Sequence, residues 1–235
     1  VFCGPKMVVV PPGSFRMGDL SGDYYERPVH RVGIEQRFAA GVHEVTFEQW
    51  QACVDAGGCS HRPEDEGWGR GRRPVIDVSW EDAQSYVDWL SQKTSADYRL
   101  LTEAEWEYVA RAGTTSKYWW GDSIGSGNAV CYGCGSRWDQ EKTSSVGSFE
   151  PNRFGLYDVH GNVWEWTQDC WHESYEDAPG DGASWTSEDG GDCSQRVLRS
   201  GSWATNAASL RSASRIFFDA AVRGRVAGFR VARTL

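Results

Sequence analysis

Asn152-Arg-Phe-Gly-Leu-Tyr-Asp-Val-His-Gly-Asn-Val-Trp-Glu-Trp166 lies inside a longer run, Tyr118 to Cys193, that carries mostly loop signals and many aromatic side chains. Such a length of chain without regular structure must be pinned by something else. Tryptophan burial, disulfides and metal ions are the available pins, and the sequence offers candidates for each. There are 13 Trp in 235 residues, and their large buried areas can hold irregular backbone that helices and sheets do not.

Outward from this run, three stretches read as helices. Thr46 to Ala56 has capping-box spacing at Thr46 and Gln49, places Phe47, Trp50 and Val54 on one face, and stops at Gly57-Gly58. A second begins at Ser79, with Asp82 three residues on, and aligns Trp80, Ala83, Val87 and Leu90 up to about Lys93. The third opens on Thr102 and Glu105 and runs through Trp106, Val109 and Ala110 to Gly113. Short strands are expected at Met7 to Val10, Val29 to Ile34, Gly41 to Val45, Val197 to Ser200 and Phe229 to Arg233. No repeat, low-complexity segment or linker interrupts the pattern, so residues 1–235 read as a single α+β domain.

Composition narrows the partners. With 24 Lys and Arg against 33 Asp and Glu, the net charge is −9, and no basic run offers the clustered cations that bind a phosphate backbone. Nucleic acid is therefore excluded as a partner. The longest apolar stretches fall far short of the roughly 20 residues that span a bilayer, so no membrane span is expected. No Met precedes Val1, and the expectation is a processed chain.

Seven cysteines fall as Cys53 and Cys59 around a helix end, Cys131 and Cys134 in a Gly-rich loop, Cys170 and Cys193 around an acidic excursion, and Cys3 alone. Three local pairs point to three disulfides, with reduced core thiols as the alternative. Zinc would want a second close pair or closely spaced His, and the Cys131–Cys134 spacing lacks the strand-to-helix context of a redox motif. Disulfides place the protein outside a reducing cytosol, extracytoplasmic or at a cell surface, or in a thermophile.

The 152–166 stretch has companions in fixed order: Met7-Val-Val-Val-Pro-Pro-Gly-Ser-Phe-Arg-Met-Gly18, Glu44-Val-Thr46, Pro74-Val-Ile-Asp-Val-Ser-Trp80, Arg99-Leu-Leu-Thr-Glu-Ala-Glu-Trp-Glu-Tyr108, Gly201-Ser-Trp203 and Gly228-Phe-Arg230. Together they resemble the formylglycine-generating enzyme (sulfatase-modifying factor) family, from about Met7 to Arg233. The resemblance implies a C-type lectin fold of the formylglycine-generating-enzyme type, loop-rich and low in regular secondary structure. The family's oxidases bind copper through two cysteines just after the Gly-Ser-aromatic block. No cysteine follows Cys193 here, and Thr or Ser cannot replace a thiolate for copper(I), so neither copper nor the oxidase chemistry is expected. Nor do His30, His43, His61, His160 and His172 form the three-His arrangement of the iron-dependent relatives.

Family members hold calcium in the loop matching Asp158 to Glu165. The resemblance therefore implies a structural calcium site with carboxylates from Asp158 and Glu165 and carbonyls from Gly161 and Val163, an oxygen set suited to a hard ion. The alternative is a hydrogen-bonded turn in which Asn162 and Asp158 satisfy backbone N–H groups.

One subgroup with this fold consists of variable proteins of diversity-generating retroelements, whose last segment is rewritten at template adenines. The typical template codon AAC cannot yield Trp, Met, Lys, Glu or Gln. Ala204, Thr205, Asn206, Ser209, Ser214, Ile216, Phe217, Phe218, Ala221, Val222, Gly224, Arg225 and Val226 are all reachable from it. They alternate with residues of scaffold character: Trp203, Leu210, Arg211, Ser212, Arg215, Arg223, Gly228 and Phe229. Ile216-Phe217-Phe218 reads either as an exposed binding patch or as core strand. The resulting expectation is a monomeric, non-catalytic binding protein for an unknown protein or surface ligand. The alternatives are an oxidase of the family with an atypical metal centre, and an accessory domain of a larger secreted or kinase-linked protein.

Overall fold

Three helices form where their capping residues predict them. Thr46, Ser79 and Thr102 each accept from the N–H three residues on, while Gln49, Asp82 and Glu105 accept in return from the cap's own N–H. These reciprocal boxes start α1 (Phe47–Asp55), α2 (Trp80–Thr94) and α3 (Glu103–Arg111). The computed structural model describes residues 4–235, so Cys3 lies outside the described residues.

Strands β1 (Met7–Val10), β4 (Phe38–Gly41), β10 (Val231–Thr234) and β5 (Tyr98–Leu100) form one antiparallel sheet in that order. A ribbon pairs β2 (Gly13–Met17) with β3 (His30–Ile34). The other sheet runs β8 (Ile216–Asp219), β7 (Asp192–Arg199), β6 (Trp164–Trp171), β9 (Ala227–Phe229), antiparallel except for the parallel β6–β9 pair. The expected strand at Phe229 to Arg233 is in fact two, β9 and β10, which belong to different sheets. Arg230 sits at the crossing between them.

Two other expectations need correction. The strand placed at Gly41 to Val45 lies earlier, at β4: its ladder with β1 ends where Val42 donates to the Lys6 carbonyl (2.8 Å), and beyond that rung the chain bends toward the Thr46 cap. The run from Tyr118 to Cys193 is not all loop, since it contains β6, eight residues long. Residues 113–163 do lack helix and strand, and buried amides pin them as well as rings. Asn152 donates to the Val109 carbonyl (2.7 Å) and accepts from the N–H groups of Phe154 and Leu156 (3.0 and 3.2 Å). All three expected disulfides, Cys53–Cys59, Cys131–Cys134 and Cys170–Cys193, are present.

One core lies between α1, α2 and the sheet containing β6, where Trp50 stacks on Tyr86 and Phe229 meets both edge-on. A second lies between α3 and the β2–β3 ribbon, around Trp106, Val109, Val32 and Leu156. No described helix is long and apolar enough to cross a membrane.

Candidate functional site

Between Gly201 and Phe229 the chain alternates between buried anchors and outward residues. Trp203, Leu210, Ser212, Arg215, Gly228 and Phe229 are buried, as their scaffold character predicted, whereas twelve of the thirteen positions read as variable are exposed or half-exposed. Ser214 is the correction, at 4% exposure. Residues 212–215 run through the interior, where Arg199, itself buried, donates to the Ser212 and Ala213 carbonyls (2.7 and 3.0 Å) and holds this turn inward. Arg223, by contrast, is exposed and clamps Asp82 at the start of α2 with two bonds (2.7 and 3.0 Å).

The outward residues are held largely by their backbone. Trp80 N–H donates to the Ala220 carbonyl (3.0 Å), Asp77 N–H to Gly224 (3.0 Å), the Trp203 indole to Arg225 (3.0 Å), Trp164 N–H to Val226 (2.8 Å) and Tyr132 N–H to Thr205 (2.7 Å). Asn206 adds a side-chain cap to the short turn Ala207–Leu210, accepting from Ala208 N–H. Through Trp203 the 204–206 and 224–226 segments become neighbours, with Trp68 edge-on to Trp203 at 5.0 Å between ring centres and Glu66 4.0 Å from Arg225. Tyr132, 51% exposed, borders this surface. Sequence reading passed it over, although a residue between two bonded cysteines, Cys131 and Cys134, has little room to turn inward.

Ile216-Phe217-Phe218 is neither wholly patch nor wholly core, because strand alternation divides it. Ile216 and Phe218 pack on the core beside Trp166, and Phe217, 38% exposed, faces the other way onto Trp171 at 4.6 Å. Phe217 therefore stands apart from the surface around Trp203.

In the 158–165 loop, Asp158, Gly161 and Asn162 adopt left-handed backbone (φ 56°, 90° and 63°). A side chain at Gly161 would collide with the Val130 carbonyl. Asn162 accepts from Ser144 N–H and donates to Glu44 (both 2.9 Å), while Asp158 accepts from Gly147 N–H (2.6 Å). One oxygen of Asp158 and one of Glu44 are buried with no partner. Burial, with repulsion among the neighbouring carboxylates, pushes Asp158 up to about 6 and Glu44 well above the ordinary range. Glu165 is already engaged, accepting from Arg230 (2.8 and 3.1 Å) and from the Trp106 indole (2.8 Å). The Gly161 carbonyl accepts from the Ser200 hydroxyl (3.1 Å), and Val163 is buried. Among the described residues no group of three His, Cys, Asp or Glu side chains is disposed to hold a metal ion, so a cation here would depend on carbonyls together with the free Asp158 oxygen.

Comparison with known proteins fits this geometry. Residues 2–235 match the family model described as Sulfatase-modifying factor enzyme 1-like domain. PvdO from Pseudomonas aeruginosa superposes with a TM-score of 0.89 at 37% identity, over 99% of this chain and 96% of that one. Treponema denticola variable protein 1 gives 0.74 at 26% identity, over 97% and 94%. The fold is thus the loop-rich α+β, C-type lectin arrangement that the sequence resemblance implies. Among curated proteins, the formylglycine-generating enzyme of Mycobacterium tuberculosis is 32% identical over 69% of this chain and 73% of its own length. The serine/threonine-protein kinase pkn1 of Chlamydia pneumoniae is 30% identical over 98% of this chain, which spans only 38% of the kinase.

Proposed function

The chain belongs to the family of Sulfatase-modifying factor enzyme 1-like domains, and we propose that it is a non-catalytic binding protein displaying the outward side chains of 204–209 and 216–226 as a variable surface of the diversity-generating retroelement kind. The observation that supports this most is the backbone anchoring of the segment. Main-chain carbonyls from Thr205 to Val226 take the scaffold's hydrogen bonds, which leaves side chains such as Ala204, Ala221, Val222 and Arg225 free to change without loss of core contacts. Likeness to the Treponema variable protein adds support. The partner on this reading is a protein or surface ligand, met by a monomer of one domain outside the reducing cytosol, where three disulfides persist.

Identity to a formylglycine-generating enzyme favours an oxidase as the second reading. Against it, no cysteine follows Cys193 and the six described cysteines are paired in disulfides, so among the described residues no thiolate is at hand for copper(I). Oxygen uptake with a Cys-containing sulfatase peptide and added copper separates the two, and turnover would overturn the binding reading. A reverse-transcriptase gene nearby, with a near-repeat of the 203–229 coding sequence differing at adenines, would support it. The protein-level check is to change Ala204, Val222 and Arg225 together to Ser. Urea unfolding should then shift by no more than about 0.5 kcal/mol.

Calcium belongs to the same proposal, held by the free Asp158 oxygen and the Gly161 and Val163 carbonyls, while Glu165 stays on Arg230 and the Trp106 indole and contributes its charge from beside the ion. The unpartnered Asp158 oxygen is what favours it over a bare turn; a bound divalent ion would neutralise a buried carboxylate cluster. At a calcium concentration a hundred times Kd, adding EGTA should lower Tm by about 5–10 °C. Asp158→Asn should remove that sensitivity, and an EGTA-indifferent wild type would argue for the hydrogen-bonded turn.

A further inference from the structure

The acidic excursion closed by the Cys170–Cys193 disulfide lies apart from the surface around Trp203 and meets the 204–226 segment at Phe217. Between residues 171 and 193 it carries Glu173, Glu176, Asp177, Asp181, Glu188, Asp189 and Asp192 with no Lys or Arg. Folded, it forms one wall of an open cleft of about 610 Å³.

Aromatic rings line the base of this cleft. Phe217 lies on Trp171, and Tyr25 meets Trp171 edge-on at 5.1 Å. Tyr25 and Phe217 remain 41% and 38% exposed, so each offers ring surface to an occupant. Five of the acidic residues, Glu173, Glu176, Asp177, Asp189 and Asp192, line the cleft and no basic side chain does. His172 stacks flat on Trp185 at 3.5 Å, and burial holds its imidazole below the ordinary range, so it adds no positive charge at neutral pH. Arg215 lies under Trp171, with its guanidinium turned to Glu103 in a two-pronged pair (2.7 and 2.9 Å).

The walls are preset. Asp169 accepts from Trp185 N–H (2.8 Å) and from the first N–H of α3 (2.7 Å), fixing the excursion to the core. Gly191 lets the chain pass against the His172 ring, where a side chain would collide. A rigid concavity that joins aromatic faces to a one-signed field selects organic cations over anions and over neutral molecules of equal shape.

We propose that this cleft is a second binding site, which takes the guanidinium or alkylammonium group of an organic cation about the size of an arginine side chain. The ring faces supply cation–π contact and the acidic rim supplies the field and hydrogen-bond acceptors.

Calorimetric titration of the intact chain with N-acetyl-arginine methylamide should show saturable one-to-one binding. It should weaken by about tenfold or more in 0.5 M NaCl. The uncharged isostere N-acetyl-citrulline methylamide should bind at least about tenfold more weakly. Glu173→Gln/Glu176→Gln/Asp177→Asn changes only exposed positions that line the cleft, and should weaken the arginine compound similarly with Tm unchanged. Equal binding of the citrulline compound, an unaffected triple variant or the lack of saturation would each overturn the proposal. An arginine-containing pentapeptide distinguishes the source, since tighter binding than the capped amino acid indicates a polypeptide and equal binding a free cation. Because the variants avoid residues 204–226, failure here leaves the variable-surface reading standing, and changes at Ala204, Val222 and Arg225 should leave the titration unaltered.

Discussion

Replacing Arg199 with Met should cost about 3–5 kcal/mol of unfolding free energy in urea, although the substitution changes little volume. Arg199 on β7 is fully buried and bridges two glutamates of α3, Glu103 and Glu107, which are flanked in turn by Arg215 and Arg111. It also donates to the Ser212 and Ala213 carbonyls. Burial alone would raise the Glu107 carboxyl, yet Arg111, Arg199 and the Gly18 N–H hold it below the usual range. Its contribution to stability is therefore present above the ordinary carboxylate value and is lost as pH falls through the lower, native one. In Arg199→Met the Glu107 carboxyl keeps only Arg111 as counter-charge, so acid unfolding should begin at higher pH. Arg199→Lys should recover only part of the loss, because an ammonium cannot fork between two carboxylates and two carbonyls. A cost below about 1 kcal/mol would mean that these charges are effectively solvated.

This network explains why β6 is hard to read from sequence. Trp164-Glu-Trp-Thr-Gln-Asp-Cys-Trp171 does alternate, but Glu165, Thr167 and Asp169 on its polar side are as buried as the rings on the other. Polar residues buried on a strand face look like loop residues until their partners, Arg230, Val197 and the N-terminus of α3, come from 65, 30 and 66 residues away. The helices were legible because their caps are local, with every capping-box partner three residues distant. The disulfides were legible because two of the three close loops of six residues or fewer. At the candidate surface, the alternation of anchor and outward residue could be read from the resemblance. Ser214 could not, since its burial depends on Arg199, and the division of Ile216, Phe217 and Phe218 required the strand register with β7.

Arg230→Met should be at least as damaging, again about 3–5 kcal/mol, and more damaging than Glu165→Leu. Fully buried at the crossing from β9 to β10, Arg230 pairs with both oxygens of Glu165 and donates to the Gly41 and Tyr157 carbonyls (2.9 and 2.8 Å). It is also the cation that offsets the raised Glu44 and Asp158 carboxyls. Removing it strips three buried carboxyls of their counter-charge and two carbonyls of their donor. Removing Glu165 still leaves Arg230 facing Glu44 and Asp158, so the asymmetry follows from the count of charges on each side. Arg230→Met/Glu165→Leu should be more stable than Arg230→Met alone, because the second change removes one of the stranded carboxylates. Urea midpoints of the four proteins in calcium-free buffer measure this. If the double variant lost the full sum of the two single losses, the two side chains would not be energetically coupled, and the link between the 152–166 stretch and Gly228-Phe-Arg230 would be packing alone.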